Sequence, residues 1–206
     1  MAFEGWTGDF IGFFRGLEMD NSKRYFEAHR KQYDRDVRGP MEELAAELQP
    51  ALGPAKLFRI NRDIRFSADK SPYKTNVAAV VGRVYIHLDA RMFYMATGAH
   101  HPETAWLRRY REAVAGPAGE ELERQVEAMR SAGLSVGGDA MKTTPRGYDA
   151  GHPRIELLRW REVGAGRQFE LEPWIATPAV KERVLETWEA MRPMADWLTA
   201  HVPADG

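Results

Sequence analysis

The sequence contains no cysteine, and this absence removes three kinds of site at once. A chain without thiols forms no disulfide, carries no thiolate nucleophile and offers no thiolate ligand to a metal ion. Any chemistry must therefore come from histidine, carboxylate, hydroxyl, lysine or arginine side chains.

Long hydrophobic runs are also missing. No stretch approaches the roughly eighteen consecutive apolar residues that a membrane-spanning helix requires. The segment from Met1 to Asp9 lacks a basic region followed by an apolar one, which is the pattern of a secretory signal. We therefore expect a cytoplasmic protein with no membrane partner.

Charge of one sign is not in excess, because 29 Lys and Arg residues face 30 Asp and Glu residues, giving a net charge of −1. Proteins that coat nucleic acids normally carry a basic excess, so this balance argues against that class but leaves a local basic patch open. The length of 206 residues and the hydrophobic fraction of 44% are typical of a globular protein, and we predict a single domain over 1–206.

The hydrophobic pattern predicts an α+β fold. Apolar residues recur at helical spacing over 9–17, 25–37, 41–52, 106–114, 119–132 and 177–198. Alternating or continuous apolar residues predict strands over 57–66, 77–81, 84–88 and 92–96, and 161–171 is ambiguous between strand and loop. The short connections between these strands favour a compact, antiparallel meandering sheet packed against several helices.

One segment of the chain is strongly basic. It carries six basic residues against two acidic ones, a local excess of +4, and these basic residues are Lys56, Arg59, Arg62, Arg65, Lys70 and Lys74. On the predicted strand, Arg59 and Arg65 share a face while Arg62 falls on the apolar face. Converging guanidinium and ammonium groups bind phosphate or carboxylate, so this cluster is a candidate anion site.

A structural explanation of the same cluster is the alternative. The basic residues would then form a solvated face of the sheet, with Arg62 buried and paired to a carboxylate such as Asp63 or Glu156. Removing Arg62 would in that case leave a buried carboxylate unpaired, which costs about 3 to 5 kcal/mol.

A second motif lies downstream, at 146–153. Gly147 permits a backbone turn that other residues resist, and Arg146 adds a cation to the candidate anion site. Asp149 and His152 are candidates for an oriented acid–base pair, because a carboxylate fixes the tautomer of an imidazole. The structural alternative is that Asp149 is a turn residue and His152 caps a short helix.

Histidine offers little support for a metal site. His100, His101 and Glu103 are close in sequence, but neighbouring residues of an extended chain point to opposite sides, so one of the two imidazoles would face a given ion. A three-ligand site would need a further residue, such as His87, brought near by the fold. We therefore predict no metal site and no cofactor.

Three segments of the chain resemble a known family. They are Asn21 to Arg30, Phe58 to Thr75, and Pro145 to Asp149 followed by His152 and Pro153 and then by Ile155 to Arg159. In this order they are similar to a bacterial and fungal family catalogued as domain of unknown function 2461. The resemblance covers nearly the whole chain and implies one compact α+β domain, but it brings no activity with it.

The chain departs from the pattern of that family at three loops. The turn at Gly82 and Arg83 is shorter than the corresponding insert, and the segments 98–101 and 164–168 also differ. A pocket built from those loops would take a different ligand in this protein.

The leading functional hypothesis is binding of a small phosphorylated or carboxylated molecule. Its ligand-binding residues would be Arg59, Arg62, Arg65, Lys70, Lys74 and Arg146, with His152 and Asp149 as weak catalytic candidates. Two alternatives stay open, a structural or protein-interaction domain and nucleic-acid binding through the same cations. The sequence predicts neither turnover nor an oligomeric state.

Overall fold

The computed structural model of the chain describes residues 2–65 and 68–203. Its α-helices are α1 (Phe10–Met19), α2 (Lys23–Tyr33), α3 (Gly39–Leu52), α4 (Thr104–Ala115), α5 (Ala118–Ser131), α6 (Ile155–Leu158) and α7 (Ala179–His201). Its strands are β1 (Ala55–Leu57), β2 (Asn76–Val81), β3 (Val84–Asp89), β4 (Met92–Ala99), β5 (Ser135–Gly137) and β6 (Val163–Glu170). They form a six-stranded antiparallel sheet in the order β1-β2-β3-β4-β6-β5, which confirms the predicted α+β fold.

The chain divides into two compact units. The first contains the residues up to Met95 together with Gln168–Glu186, and the second contains Ala96–Arg167 and the residues from Thr187 onward. Helices α1 to α3 and strands β1 to β3 belong to the first unit, whereas α4 to α6 and β5 belong to the second. The single domain expected over 1–206 stays a prediction.

The first two helices begin where their capping residues predict. The carboxylate of Asp9 accepts a hydrogen bond from the Gly12 amide at 2.8 Å, and the Ser22 hydroxyl accepts one from the Tyr25 amide at 3.1 Å. The apolar face of α1 is fully or almost fully buried and consists of Phe10, Phe13, Phe14 and Leu17. A π-helical turn at Asp34–Arg38 joins α2 to α3, so the chain continues through Gly39 instead of stopping there.

Strands β2 and β3 form a hairpin with two different faces. The inner face packs against α1 and α3, and its side chains are at most 3% exposed: Val77, Ala79, Val81, Val84, Ile86 and Leu88. The opposite face, called the outer face below, is half-buried and carries Asn76, Val80, Tyr85, His87 and Asp89. Successive residues of a strand point to opposite sides, so the two-residue repeat of β3 produces this division, and pairing with β3 sets the faces of the uniformly apolar β2.

The second unit is organised around a buried tyrosine of α4. Tyr110 is fully buried, and its hydroxyl donates a hydrogen bond to the carbonyl of Leu157 in α6 at 3.1 Å. Burial raises the pKa of this phenol, so it stays protonated and acts as a donor. The indole of Trp197 in α7 donates to the carbonyl of Ala118 at 2.9 Å and joins α7 to the start of α5.

The prediction of a strand over 57–66 is wrong. Strand β1 ends at Leu57, and the chain then pairs with its own return segment through the bonds Arg62 N to Pro72 O (2.9 Å) and Lys74 N to Ile60 O (2.8 Å). Alternation of apolar and polar residues does not distinguish this irregular pairing from a regular strand. Phe66, the last residue of the predicted strand, lies outside the described residues.

The other predicted elements are confirmed within a few residues. The ambiguous segment 161–171 forms β6, and Thr177 caps α7, because its hydroxyl accepts a hydrogen bond from the Ala179 amide at 3.3 Å. Among the residues that the structure describes, no helix is both long and apolar enough to cross a membrane.

Candidate anion-binding site

The C-terminal end of the basic segment is held in place by Asn21, which lies just before α2. The side-chain amide of Asn21 donates to the carbonyl of Tyr73 at 3.1 Å and accepts from its amide at 3.0 Å. The ring of Tyr73 stacks on Phe26, with the centroids 4.3 Å apart. These contacts bridge 52 residues of sequence and hold the backbone next to Lys74 in place.

Arg62 does not occupy the buried position that the strand pattern gave it. Its side chain is 32% exposed, and its guanidinium pairs with Asp69 instead of Asp63 or Glu156. Hydrogen bonds from Ser71 and then from Arg62 lower the pKa of Asp69 to about 2, so this carboxylate is charged at neutral pH. Arg62 therefore has a local partner on the surface.

Two further cations of the segment also have partners within the segment. The Arg65 guanidinium binds both carboxylate oxygens of Asp63, at 2.9 and 2.6 Å, and this contact lowers the pKa of Asp63. The ammonium of Lys70 donates to the carbonyl of Ile64 at 3.0 Å. Half of the predicted anion-binding cluster therefore stabilises its own loop.

Arg59 and Lys74 are different. Within residues 2–65 and 68–203, no carboxylate forms an ion pair or a hydrogen bond with either side chain. Burial lowers the pKa of Lys74, and repulsion from the charge of Arg59 lowers it further. The Lys74 ammonium also lies 5.4 Å from the ring centroid of Phe58.

Lys56 is the remaining cation of the predicted cluster. It lies exposed on β1, where its Cα pairs with that of Val80 across the ladder with β2.

A hydrogen-bonded histidine lies on the outer face. The Asn76 amide donates to Nδ1 of His87 at 2.9 Å, and Nε2 of His87 donates to Asp89 at 3.1 Å. This arrangement places the imidazole proton on Nε2. Burial opposes ionisation of Asp89, but hydrogen bonds from His87 and from the amides of Arg91 and Met92 outweigh it and lower its pKa.

Aromatic rings line the same face. The rings of Phe58 and Tyr85 lie 6.2 Å apart, and those of Tyr85 and Tyr94 lie 6.5 Å apart. Burial raises the pKa of both tyrosines, so both carry a neutral hydroxyl at physiological pH. Phe58 therefore lies between the ammonium of Lys74 and the two tyrosines. This aromatic surface can contact the apolar part of a ligand.

Sequence reasoning missed the His87 network. The signal was present in the two-residue spacing of Tyr85, His87 and Asp89, which places three polar groups on the same face of β3. The register adds Asn76, whose Cα pairs with that of Asp89, and places the small residue Ala78 opposite His87.

The downstream motif belongs to the second unit. Gly147 adopts φ 91, as its predicted turn requires, and the Tyr148 amide donates to the carbonyl of Pro145 at 3.3 Å. Arg146 is exposed on this turn.

Asp149 and His152 do not form the expected acid–base pair. The Asp149 carboxylate accepts a hydrogen bond from the Gly151 amide at 2.6 Å, and Nδ1 of His152 accepts one from the Arg154 amide at 3.0 Å. These are the turn and capping functions of the structural alternative, and no bond joins the two side chains in the described part of the chain.

One cluster has donor atoms suited to a metal ion. His100, His101 and Glu162 bring two imidazole nitrogens and a carboxylate oxygen within 4.8 Å of one another. The expectation that the two adjacent imidazoles point to opposite sides is wrong, because His101 adopts φ 50 and the backbone there is not extended.

Together, fold and site define an α+β protein with a helix-backed antiparallel sheet, a histidine–carboxylate network on the outer face and a neighbouring pair of cations. The profile of a conserved hypothetical protein family, domain of unknown function 2461, matches residues 9–197. The chain belongs to this family. No curated protein and no solved structure matches it.

The replacement Arg62→Ala should have little effect on stability. The ion pair with Asp69 is at the surface, and surface pairs contribute little because water and salt screen them. We expect the Tm to fall by no more than about 3 °C in thermal unfolding followed by circular dichroism. A much larger fall, absent from the matched variant Arg65→Ala, would support the buried structural network instead.

Proposed function

We propose that the protein binds a small phosphorylated or carboxylated molecule through Arg59 and Lys74. The observation that carries this proposal is that these two cations repel each other and that neither forms an ion pair or a hydrogen bond with a carboxylate among the described residues, whereas Arg62 and Arg65 are paired. The charge of Arg59 also acts on Asp63, but the carboxylate of Asp63 is already bound by Arg65. An anion placed between Arg59 and Lys74 would be attracted by both charges and would offset their mutual repulsion.

The chemistry of the two side chains suits this class of ligand. The guanidinium of Arg59 offers a planar fork that matches two oxygens of a phosphate or carboxylate, and the ammonium of Lys74 adds a point charge. Lys74 is partly desolvated, so its interaction with an anion is screened less than that of a fully solvated lysine.

The aromatic surface beside the cations supports an organic anion over inorganic phosphate. Phe58 is 38% exposed although it is a large apolar residue, and its ring lies next to Tyr85 on the outer face. A ligand with a planar or apolar group attached to its anionic end would cover Phe58 and contact the tyrosine. Inorganic phosphate would gain the charge contacts alone.

Thermal unfolding in the presence of a ligand panel tests the proposal. The panel contains inorganic phosphate, phosphorylated metabolites, organic acids with and without aromatic groups, and short single-stranded nucleic acids. A ligand present at about a hundred times its Kd should raise the Tm by about 5 to 10 °C. Isothermal titration of the best ligand then gives its affinity and stoichiometry.

Two variants and a control locate the binding site. Arg59→Ala and Lys74→Met should each weaken binding by at least about tenfold, because each removes a charge-assisted hydrogen bond. Arg65→Ala removes an arginine of the same segment that is already paired with Asp63, and it should bind within about threefold of the unaltered protein. Equal binding by all three variants would refute the proposed site.

The same panel decides between the other two functions expected from the sequence. Binding of nucleic acid with an affinity that falls steeply with salt would indicate contacts to several phosphates. No response to any anion would favour a structural or protein-interaction domain. The predicted cytoplasmic location is not needed for any of these outcomes.

A further inference from the structure

A close approach of two backbones positions residues 100 and 101 beside Glu162. A Cβ at Gly98 would lie 2.1 Å from the carbonyl oxygen of Val163, and a Cβ at Gly164 would lie 2.5 Å from that of Thr97. Glycine at both positions therefore lets the end of β4 and the start of β6 lie in contact. The residues that follow Gly98 and precede Gly164 are brought together as a result.

The backbone at His101 then turns both imidazoles to the same side. His101 has φ 50 and is the one non-glycine residue with a positive φ in the part of the chain that the structure describes. The Nδ1 atoms of His100 and His101 each lie 2.9 Å from Oε1 of Glu162, and the ring centroids are 3.9 Å apart.

We propose that His100, His101 and Glu162 form a binding site for a divalent transition-metal ion, with Zn²⁺ as the best match. Two imidazole nitrogens and one carboxylate oxygen are ligands that Zn²⁺ prefers, whereas Mg²⁺ and Ca²⁺ require mainly oxygen ligands. The site lies in the second unit and does not depend on the proposed anion binding.

The distances between the donor atoms fit this ion after small side-chain rotations. Tetrahedral Zn²⁺ with bonds of about 2.0 to 2.1 Å separates its ligand atoms by roughly 3.3 Å. The three donor atoms here lie within 4.8 Å of one another, and both imidazoles contact the same carboxylate oxygen. An ion placed among them would replace the two contacts to Glu162 with three metal–ligand bonds.

The exposure of the ligands defines what kind of metal site this is. The side chains of His100 and His101 are 77% and 80% exposed, while that of Glu162 is 21% exposed. The carboxylate is therefore the fixed ligand, and the two imidazoles close over the ion from the solvent side. Three protein ligands leave a fourth position of a tetrahedral ion for water or for a further donor, as in zinc sites that bind or activate small molecules.

Isothermal titration with ZnCl₂ tests the site in the full-length protein, freed of any affinity tag and treated with a chelator. We expect one Zn²⁺ per chain, with a Kd in the micromolar range or lower, and no measurable heat with MgCl₂. Co²⁺ in place of Zn²⁺ should give visible d–d absorption bands typical of nitrogen and oxygen ligands in a low-coordinate site.

Variants of the ligands and one control decide the outcome. His101→Ala and Glu162→Gln should each weaken Zn²⁺ binding by at least about tenfold and remove the Co²⁺ bands, whereas His201→Ala, an exposed histidine of the same unit, should leave both unchanged. Metal-free melting curves show that each variant folds. The proposal is overturned if the unaltered protein binds no Zn²⁺, or if Glu162→Gln and His101→Ala bind it as tightly as the unaltered protein.

Discussion

Replacing Arg154 by methionine should lower the free energy of unfolding by about 3 kcal/mol. Its Nε donates to the carbonyl of Val114 at 2.8 Å, and its Nη2 donates to the carbonyls of Ala115 and Gly116 at 3.0 and 3.2 Å. These carbonyls are at the C-terminal end of α4, where the helix itself supplies no further donors, although that of Gly116 also accepts from the Gly119 amide at 3.1 Å. The positive charge also compensates the negative end of the helix dipole.

The packing around Arg154 leaves the methionine variant no replacement for these bonds. A Cβ at Gly119 would lie 2.6 Å from Nε of Arg154 and 1.9 Å from the carbonyl oxygen of Val114, so the guanidinium fills a space that the absence of a side chain creates. Methionine has about the length of the arginine stem but no donor. The carbonyls of Val114 and Ala115 would be left partly buried without this partner, whereas that of Gly116 would keep the Gly119 amide.

Urea unfolding followed by circular dichroism measures the effect. Arg146→Ala is the matched control, because Arg146 is an exposed arginine of the same unit, and its loss should change stability by less than about 0.5 kcal/mol. Arg154→Lys keeps the charge but not the planar fork, and it should lie between the two. If Arg154→Met were as stable as Arg146→Ala, the three hydrogen bonds would contribute nothing to folding.

Replacing Gly82 by alanine should destabilise the protein by about 3 kcal/mol or more. Gly82 is the first residue of the two-residue turn between β2 and β3 and has φ 58, while Arg83 has no positive φ, which is the pattern of a type II′ turn. A Cβ at this position would lie 1.8 Å from the carbonyl oxygen of Leu52. Alanine therefore adds a steric clash with backbone to the strain of a left-handed conformation.

Gly147→Ala separates these two contributions. Gly147 has φ 91, but nothing lies within 4 Å of a Cβ placed there, so its replacement adds backbone strain alone. We expect this variant to lose about 1 to 2 kcal/mol, measured by the same urea unfolding. Equal losses for Gly82→Ala and Gly147→Ala would show that the end of α3 moves away from the turn without cost.

Arg154 lies within the third segment that resembles the family, although it is not one of the matching residues. This segment offered a candidate acid–base pair and a structural alternative, and the structure has the alternative: Asp149 closes a turn and His152 accepts from the Arg154 amide. Arg154 holds the end of α4. Asp149 and His152, which do match, therefore have turn and capping roles in this protein. The family match alone does not separate them from ligand-binding residues.

The sequence identified the residues of the candidate anion site but not which of their side chains pair with each other. Charge counting located the basic segment, and the structure then paired Arg62 with Asp69 and Arg65 with Asp63, leaving Arg59 beside Lys74. Which of the arginines would find a carboxylate could not be predicted, because that choice depends on the path of an irregular loop, which has no period in the sequence.

The candidate metal site could not be predicted from the sequence either, because its geometry depends on one backbone angle. The extended geometry assumed for His100 and His101 would have separated their imidazoles, but φ 50 at His101 brings both to Glu162. Their closeness to Glu162 also depends on the approach of β4 and β6, whose contact at Gly98 and Gly164 joins segments more than sixty residues apart in the chain.

By itself the sequence determined the local elements of this protein. Asp9, Ser22 and Thr177 begin their helices, and Gly147 takes its turn, because each of these depends on bonds between residues two to four positions apart. Hydrophobic alternation also indicated the faces of β3, because successive residues of a strand point to opposite sides. The tertiary structure alone decided which groups meet, since the contacts that position the two candidate sites, such as Asn21 with Tyr73, form between distant segments only when the chain is folded.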